Sequence, residues 1–137
     1  MTEDIFVPIN SDMDIVTARQ SGRTMATELG FQGTDLTLIA TAISELARNI
    51  VRYASHGEIH LQALGNNNGK RGLLVEARDE GPGIPNIVQA MQDGFSTSGG
   101  LGLGLPGTRR LMDEFEIASA PETGTTIRVR KWVRSSR

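Results

Sequence analysis

Apolar residues recur at three- and four-residue steps along two long stretches of the chain and at shorter, strand-like intervals along several brief ones. From Asp12 onward, Ile15, Ala18, Gly22, Met25, Ala26 and Leu29 trace one side of a helix that Gly30 stops. A second helix carries Leu36, Ile39, Ala40, Ile43, Ala47, Ile50 and Ala54 on its apolar side, with Thr34 or Asp35 as its cap. Branched residues in "DIFVPI", Asp4 to Ile9, predict a strand, and Pro8 places it at a sheet edge. "EIHLQAL" and "GLLVEARD" read as a strand pair around "GNNNGKRG", whose glycines and asparagines suit a hairpin connection. The run "RRLMDEFEI" predicts a helix beginning near the preceding glycines and continuing to Ile117, after which "EIASA" and "TTIRVRKWV" form a last strand pair around "PETG". Hairpin-paired strands interrupted by helices predict an α+β sandwich with its helices on one sheet face, as one domain over residues 1–137.

Composition then removes whole classes of function. The sequence has no cysteine, so disulfides, thiolate metal sites and a cysteine nucleophile are out, and a reducing compartment fits. A net charge of −2 gives no reason to expect nucleic acid, and the basic residues after Ile127 read as a solvated edge. An acidic N-terminus and the lack of a long apolar run predict a cytoplasmic protein.

Three polar segments carry candidate chemistry. "SGGLGLGLPG", Ser98 to Gly107, can be a tight helix start or an anion cradle, because glycines expose backbone amides and a helix beginning there adds partial positive charge. The sole "GK" is followed by Arg71, which rules out a P-loop, and no strand precedes the G-x-G-x-x-G match at Gly102, Gly104 and Gly107. "DEGPGIP", Asp79 to Pro85, follows a strand and is either a turn or a fixed acceptor, Asp79, beside glycines that let a flat ligand approach. On the second helix, Glu45 and Asn49 lie four apart on one face, flanked by Thr41, Arg48 and Arg52. Those two side chains offer hard oxygens for accepting a proton and for magnesium, unless the stripe is merely solvated.

Taken in order, "SELARN", "DEGPGIP", "GGLGLG" and the "GT" at Gly124 and Thr125 resemble the four nucleotide-binding boxes of the GHKL superfamily, which includes gyrase-type ATPases, histidine kinases and bacterial anti-sigma serine kinases. "TAISELARNI", "DGFSTSGGLG", "GLP" and "RLMDEF" are further similar to serine/threonine switch kinases of the stressosome type. The resemblance implies the two-layer Bergerat sandwich with a mixed, mainly antiparallel sheet. It implies ATP and Mg²⁺ as cofactors, with Asn49 holding the metal between the phosphates. Asp79 would read the adenine amino group with support from Thr125, and Gly81, Gly83 and Ile84 would wall the adenine. Gly100, Leu101, Gly102, Leu103 and Gly104 would offer amides to phosphate, and Glu45 would be the general base.

The implied function is phosphorylation of STAS-domain antagonist and scaffold proteins of a stressosome-like complex, coupled to binding and activation of a PP2C-type phosphatase. Alternatives are an anti-sigma factor kinase that holds a sigma factor directly and a non-catalytic nucleotide-binding module. A histidine kinase domain fits less well, since the two histidines, His56 and His60, flank Gly57 near the hairpin as surface or strand residues, and a gyrase-like hydrolase would need a transducer domain after the sandwich. The segment before the glycines is shorter than in sporulation-type anti-sigma kinases and brings no Arg or Lys onto the loop. Phosphate charge would then fall to magnesium, the helix N-terminus and Arg109 or Arg110, with weaker nucleotide holding as the expectation.

Overall fold

The computed structural model describes residues 4–65, 69–81, 104–120 and 124–134. Among them, β1 (Ile5–Ile9), α1 (Asp12–Leu29), α2 (Thr34–Tyr53), β2 (Gly57–Gly65), β3 (Arg71–Asp79), α3 (Gly104–Leu111), β4 (Glu114–Ala120) and β5 (Gly124–Trp132) follow in chain order. The strands form one sheet in the order β1-β2-β3-β5-β4, and every pairing in it is antiparallel. Helices α1 and α2 cover one face of it, and α3 packs on α2.

Register explains which side is covered. Ile59, Ala77 and Ile127 stand opposite one another across β2, β3 and β5, and Leu61, Val75 and Val129 do the same two residues along. All six are buried, so the two-residue repeat turns one set of side chains towards the helices. Between these rows the other face carries Phe6, His60, Glu76, Arg128 and Glu116 as neighbours in register. Glu76 is the centre of that row: Arg128 Nε donates to it at 2.7 Å and Arg78 at 3.2 Å. His60 lies flat on Phe6, its ring 4.3 Å away, and meets Asp4 through Nε2 at 3.1 Å, so this histidine belongs to the strand surface as expected.

Helix ends follow local chemistry. The Asp14 carboxylate accepts the amides of Asn10 and Ser11, closing the start of α1, and Gly30 at φ 105° ends it. The expected caps of α2 are corrected: Gly33 occupies the position before the helix, and both Thr34 and Asp35 are inside it. The Asp35 carboxylate instead lies 3.9 Å from Lys131 Nζ and 3.8 Å from Arg134 Nε. A close apolar contact seats α2 deeply. Its Ile43 fills the space where a side chain on Gly22 of α1 would stand, so the two helices approach closely.

Two further expectations change. The helix predicted through Ile117 ends at Leu111, and Glu114–Ala120 is strand β4. Phe115 and Ile117 pair with Val129 and Ile127, so alternation over the sheet outweighs helical spacing there. Asp113 fixes the switch: its amide donates to the Arg130 carbonyl at 2.9 Å and its carboxylate accepts the Trp132 amide at 2.8 Å. Nor are the residues after Ile127 a plain solvated edge. Arg128 and Arg130 pair with acids across the outer face, and Lys131 points to the helix side, 3% exposed.

Lys131 Nζ donates to the Leu111 carbonyl at 2.9 Å and lies 3.9 Å from both Asp35 and Asp113. One ammonium therefore joins the C-terminal end of α3 to the first turn of α2. Lys131→Met keeps the apolar stem but leaves the Leu111 carbonyl without its donor, and it is expected to cost about 1–3 kcal/mol in urea denaturation.

Candidate active site

The middle of α2 is the most enclosed part of the helix layer, with Ile39, Ala42, Ile43, Leu46 and Ala47 all buried. Glu45 sits within this run and is itself only 5% exposed. A carboxylate in such surroundings needs a partner, because leaving one unpaired away from water is expensive. Arg48, one turn later, provides it: Nη1 donates to Glu45 Oε2 at 2.7 Å. Asn49 is half-buried on the same stripe, while Arg52 is exposed. The stripe of Thr41, Glu45, Arg48 and Asn49 is thus a recessed polar line rather than a solvated face.

Asp79 closes β3, where register puts Gly57 on one side of it and Thr125 on the other. Its Oδ1 accepts the Gly81 amide at 2.9 Å, which fixes the carboxylate and leaves Oδ2 for another donor. Gly81 stands against Ala54, where a Cβ on the glycine would come within 2.7 Å of the alanine Cβ. The C-terminal end of α2 therefore abuts the acidic turn. From Ala54 back to Asn49 is about 8 Å along the helix axis, and back to Glu45 about 13 Å. This order suits an elongated ligand with a ring at the strand end and negative charge further up the helix.

Thr125 is 7% exposed beside Asp79, and its hydroxyl lies 2.9 Å from that of Ser119. Gly124 adopts φ 100°, and a side chain there would collide with the Asp79 carbonyl and the Glu80 backbone. The "GT" pair thus lets β5 press directly on the strand end that carries Asp79. Gly104 begins α3, which packs on α2, so its amide end belongs to the same helix layer. Arg109 and Arg110, expected to help meet phosphate charge, fall in the last turn of α3. Gly83, Ile84, Gly100, Leu101, Gly102 and Leu103 lie outside the described residues.

Among the described residues no group of three or more His, Asp or Glu could hold a metal by itself. The donor set nevertheless fits Mg²⁺, which takes one or two protein oxygens and completes its shell with phosphate and water. Asn49, half-buried one turn from Glu45, is such an oxygen donor. Sequence reasoning had named Arg48 only as a flanking residue and missed Lys131 altogether. A Glu and an Arg three apart on a helix could have revealed the first.

Residues 34–135 match the model of the histidine kinase-, DNA gyrase B- and HSP90-like ATPases. The chain belongs to that family. Within this ATPase family it is 54% identical to the serine/threonine-protein kinase RsbT of Bacillus subtilis strain 168, over 98% of this chain and 100% of that one. At that likeness over nearly the full length of both, the enzyme class is that of a serine/threonine-protein kinase. An anti-sigma F factor of Thermoanaerobacter sp. strain X514 is 31% identical over 72% of this chain and 71% of its own. Among solved structures, the RsbU and RsbW domains of Rv1364c from Mycobacterium tuberculosis superpose with a TM-score of 0.65 and 22% identity. That match covers 99% of this chain and about a third, 34%, of the other, and it establishes the fold alone. The two-layer ATPase sandwich expected from the sequence is the observed fold, with a fully antiparallel sheet among the described strands.

Gly124→Ala is expected to lose at least about 2 kcal/mol of stability, since it combines a strained φ with a collision against backbone. Thermal melting checks this. The neighbouring Thr126→Ala, on the half-buried outer row, should shift the midpoint far less.

Proposed function

We propose that this chain, acting as a single domain over residues 1–137, is an ATP-dependent kinase that phosphorylates serine or threonine on STAS-domain proteins of a stressosome-like complex. In the same reading it is a partner switch: released from that complex, it binds and activates a PP2C-type phosphatase in the cytoplasm. The observation that carries the reading is the 54% identity to a serine/threonine-protein kinase over 98% of this chain and 100% of that one. The geometry supports it by setting a fixed acceptor, Asp79, at one end of α2 and a recessed proton acceptor, Glu45, further along the same helix. Among the described residues, no helix is long and apolar enough to cross a membrane.

In this reading Asp79 Oδ2 accepts a hydrogen bond from the adenine amino group, and Gly81, Gly83 and Ile84 form the wall of the base pocket. Thr125 keeps β5 against Asp79. Gly100, Leu101, Gly102, Leu103 and Gly104 present amides to the phosphates, whose charge favours the N-terminal end of α3. Asn49 holds Mg²⁺, which when bound neutralises phosphate charge and orients the terminal phosphate. Glu45 takes the proton from the acceptor hydroxyl as that oxygen attacks the terminal phosphorus.

A second reading has a specific observation behind it. Relatives at 31% identity are anti-sigma F factors, so direct retention of a sigma factor is the alternative activity of the same fold. Copurification separates the two: a sigma subunit retained by the chain favours the second, and a STAS-domain protein or a phosphatase favours the first.

The direct test incubates the chain with labelled ATP, magnesium and a STAS-domain protein, and label on serine or threonine is the expected result. Glu45→Ala should bind ATP yet transfer phosphate about 10²- to 10⁴-fold more slowly. Transfer at an undiminished rate would remove Glu45 from the proton-accepting role.

A further inference from the structure

The Arg48 to Glu45 pair poses a chemical problem for the kinase reading, on which this inference rests. Glu45 Oε2 is taken up by a guanidinium at 2.7 Å. A carboxylate oxygen so engaged is a poor acceptor for the proton of an incoming hydroxyl. The two side chains also differ in freedom: that of Glu45 is 6% exposed and that of Arg48 is 25% exposed. Glu45 is fixed by its surroundings, whereas Arg48 has room to turn its head group.

Position supplies the second half of the argument. A general base must lie within hydrogen-bond reach of the hydroxyl it serves, about 3 Å, and that hydroxyl must itself be about 3–3.5 Å from the phosphorus it attacks. Any phosphate that Glu45 can serve is therefore within a short side-chain rotation of a guanidinium hydrogen-bonded to Glu45. A terminal phosphate carries more charge than a carboxylate and presents oxygens that match the fork of a guanidinium, so it competes strongly for Arg48. With Arg109 and Arg110 in the last turn of α3, Arg48 is the described cation nearest the proposed base.

We propose that Arg48 is an exchangeable clamp: it pairs with Glu45 in the empty protein and turns to the terminal phosphate when ATP binds, which opens Glu45 Oε2 to the acceptor hydroxyl. The step that follows is balanced without any further reagent. The hydroxyl oxygen forms a bond to the terminal phosphorus, and the bond from that phosphorus to the bridging oxygen breaks. ADP leaves with that electron pair, and the hydroxyl proton passes to Glu45 Oε2. Arg48 thereby releases Oε2 from its ion pair only when a third phosphate is present, so the chain distinguishes ATP from ADP at this residue.

Binding, rather than activity, is the decisive readout. Calorimetric titration with magnesium and either ATP or ADP should show Arg48→Gln losing about 10- to 100-fold in ATP affinity while ADP affinity stays within about twofold. Arg48→Lys should fall between the two, because it keeps the charge and loses the fork. Glu45→Gln, which removes the negative charge that competes for the guanidinium, should raise ATP affinity, and the gain should vanish in the Glu45→Gln, Arg48→Gln double variant. Equal loss of ATP and ADP in Arg48→Gln, or no loss of either in a folded variant, overturns the clamp. If Arg48→Gln does not fold, the Arg48→Lys and Glu45→Gln titrations decide, and an unchanged ATP to ADP ratio in both overturns it. A wild-type chain that prefers ATP through Arg48 but labels no protein refutes the kinase reading while leaving the clamp standing as a nucleotide sensor.

Discussion

A carboxylate held inside the buried middle of α2 is the constraint around which the rest is arranged. Glu45 shares α2 with a continuous apolar run that packs on the sheet, on α1 and on α3. Burial of that kind gives stability through the neighbours and taxes it through the charge, and Arg48 is what makes the charge tolerable. The same enclosure gives chemistry a fixed reference point, since a side chain with so little freedom keeps its position while ligands come and go. Positioning of this quality is what a proton acceptor in a transfer reaction needs.

The sheet serves α2 in two different ways on its two faces. Towards the helices it is a tight apolar floor, and its strand ends bring Asp79 and Gly81 to the point where α2 stops. Towards the outside it is a ladder of paired charges centred on Glu76, which gives a water-facing surface its own internal order. Glycines at 57 and 124 flank Asp79 because the backbones of β2 and β5 run too close to it for any side chain. The acidic box and the "GT" box, 45 residues apart in sequence, are thus two sides of one packing problem.

Much of this was legible in the sequence, and the failures have physical causes. Helical spacing located α1 and α2, and alternation located β2, β3 and β5, because each is long enough for its period to dominate. The stretch from Arg109 to Ile117 misled because Leu111, Met112 and Phe115 keep helical spacing while Phe115 and Ile117 keep strand spacing, and only pairing with β5 decides between them. Asp35 looks like a helix cap because its draw towards Lys131 and Arg134 comes from almost a hundred residues away. Lys131 itself sits in a run of basic residues that reads as solvated, and nothing local distinguishes the inward one from its outward neighbours. The nucleotide boxes were visible as motifs, whereas the ion pair inside the first of them became visible only with coordinates. The glycine loop itself lies largely outside the described residues, so its part in the site still rests on sequence.

Lys131 also shapes how α3 can respond to load. It is fastened at Leu111, its last residue, while its first residue, Gly104, adjoins the glycine loop. Between those ends Leu105, Pro106, Gly107 and Thr108 are buried, so the ammonium is one mooring among several and any displacement of Gly104 has to disturb the seat of the helix on α2 as well.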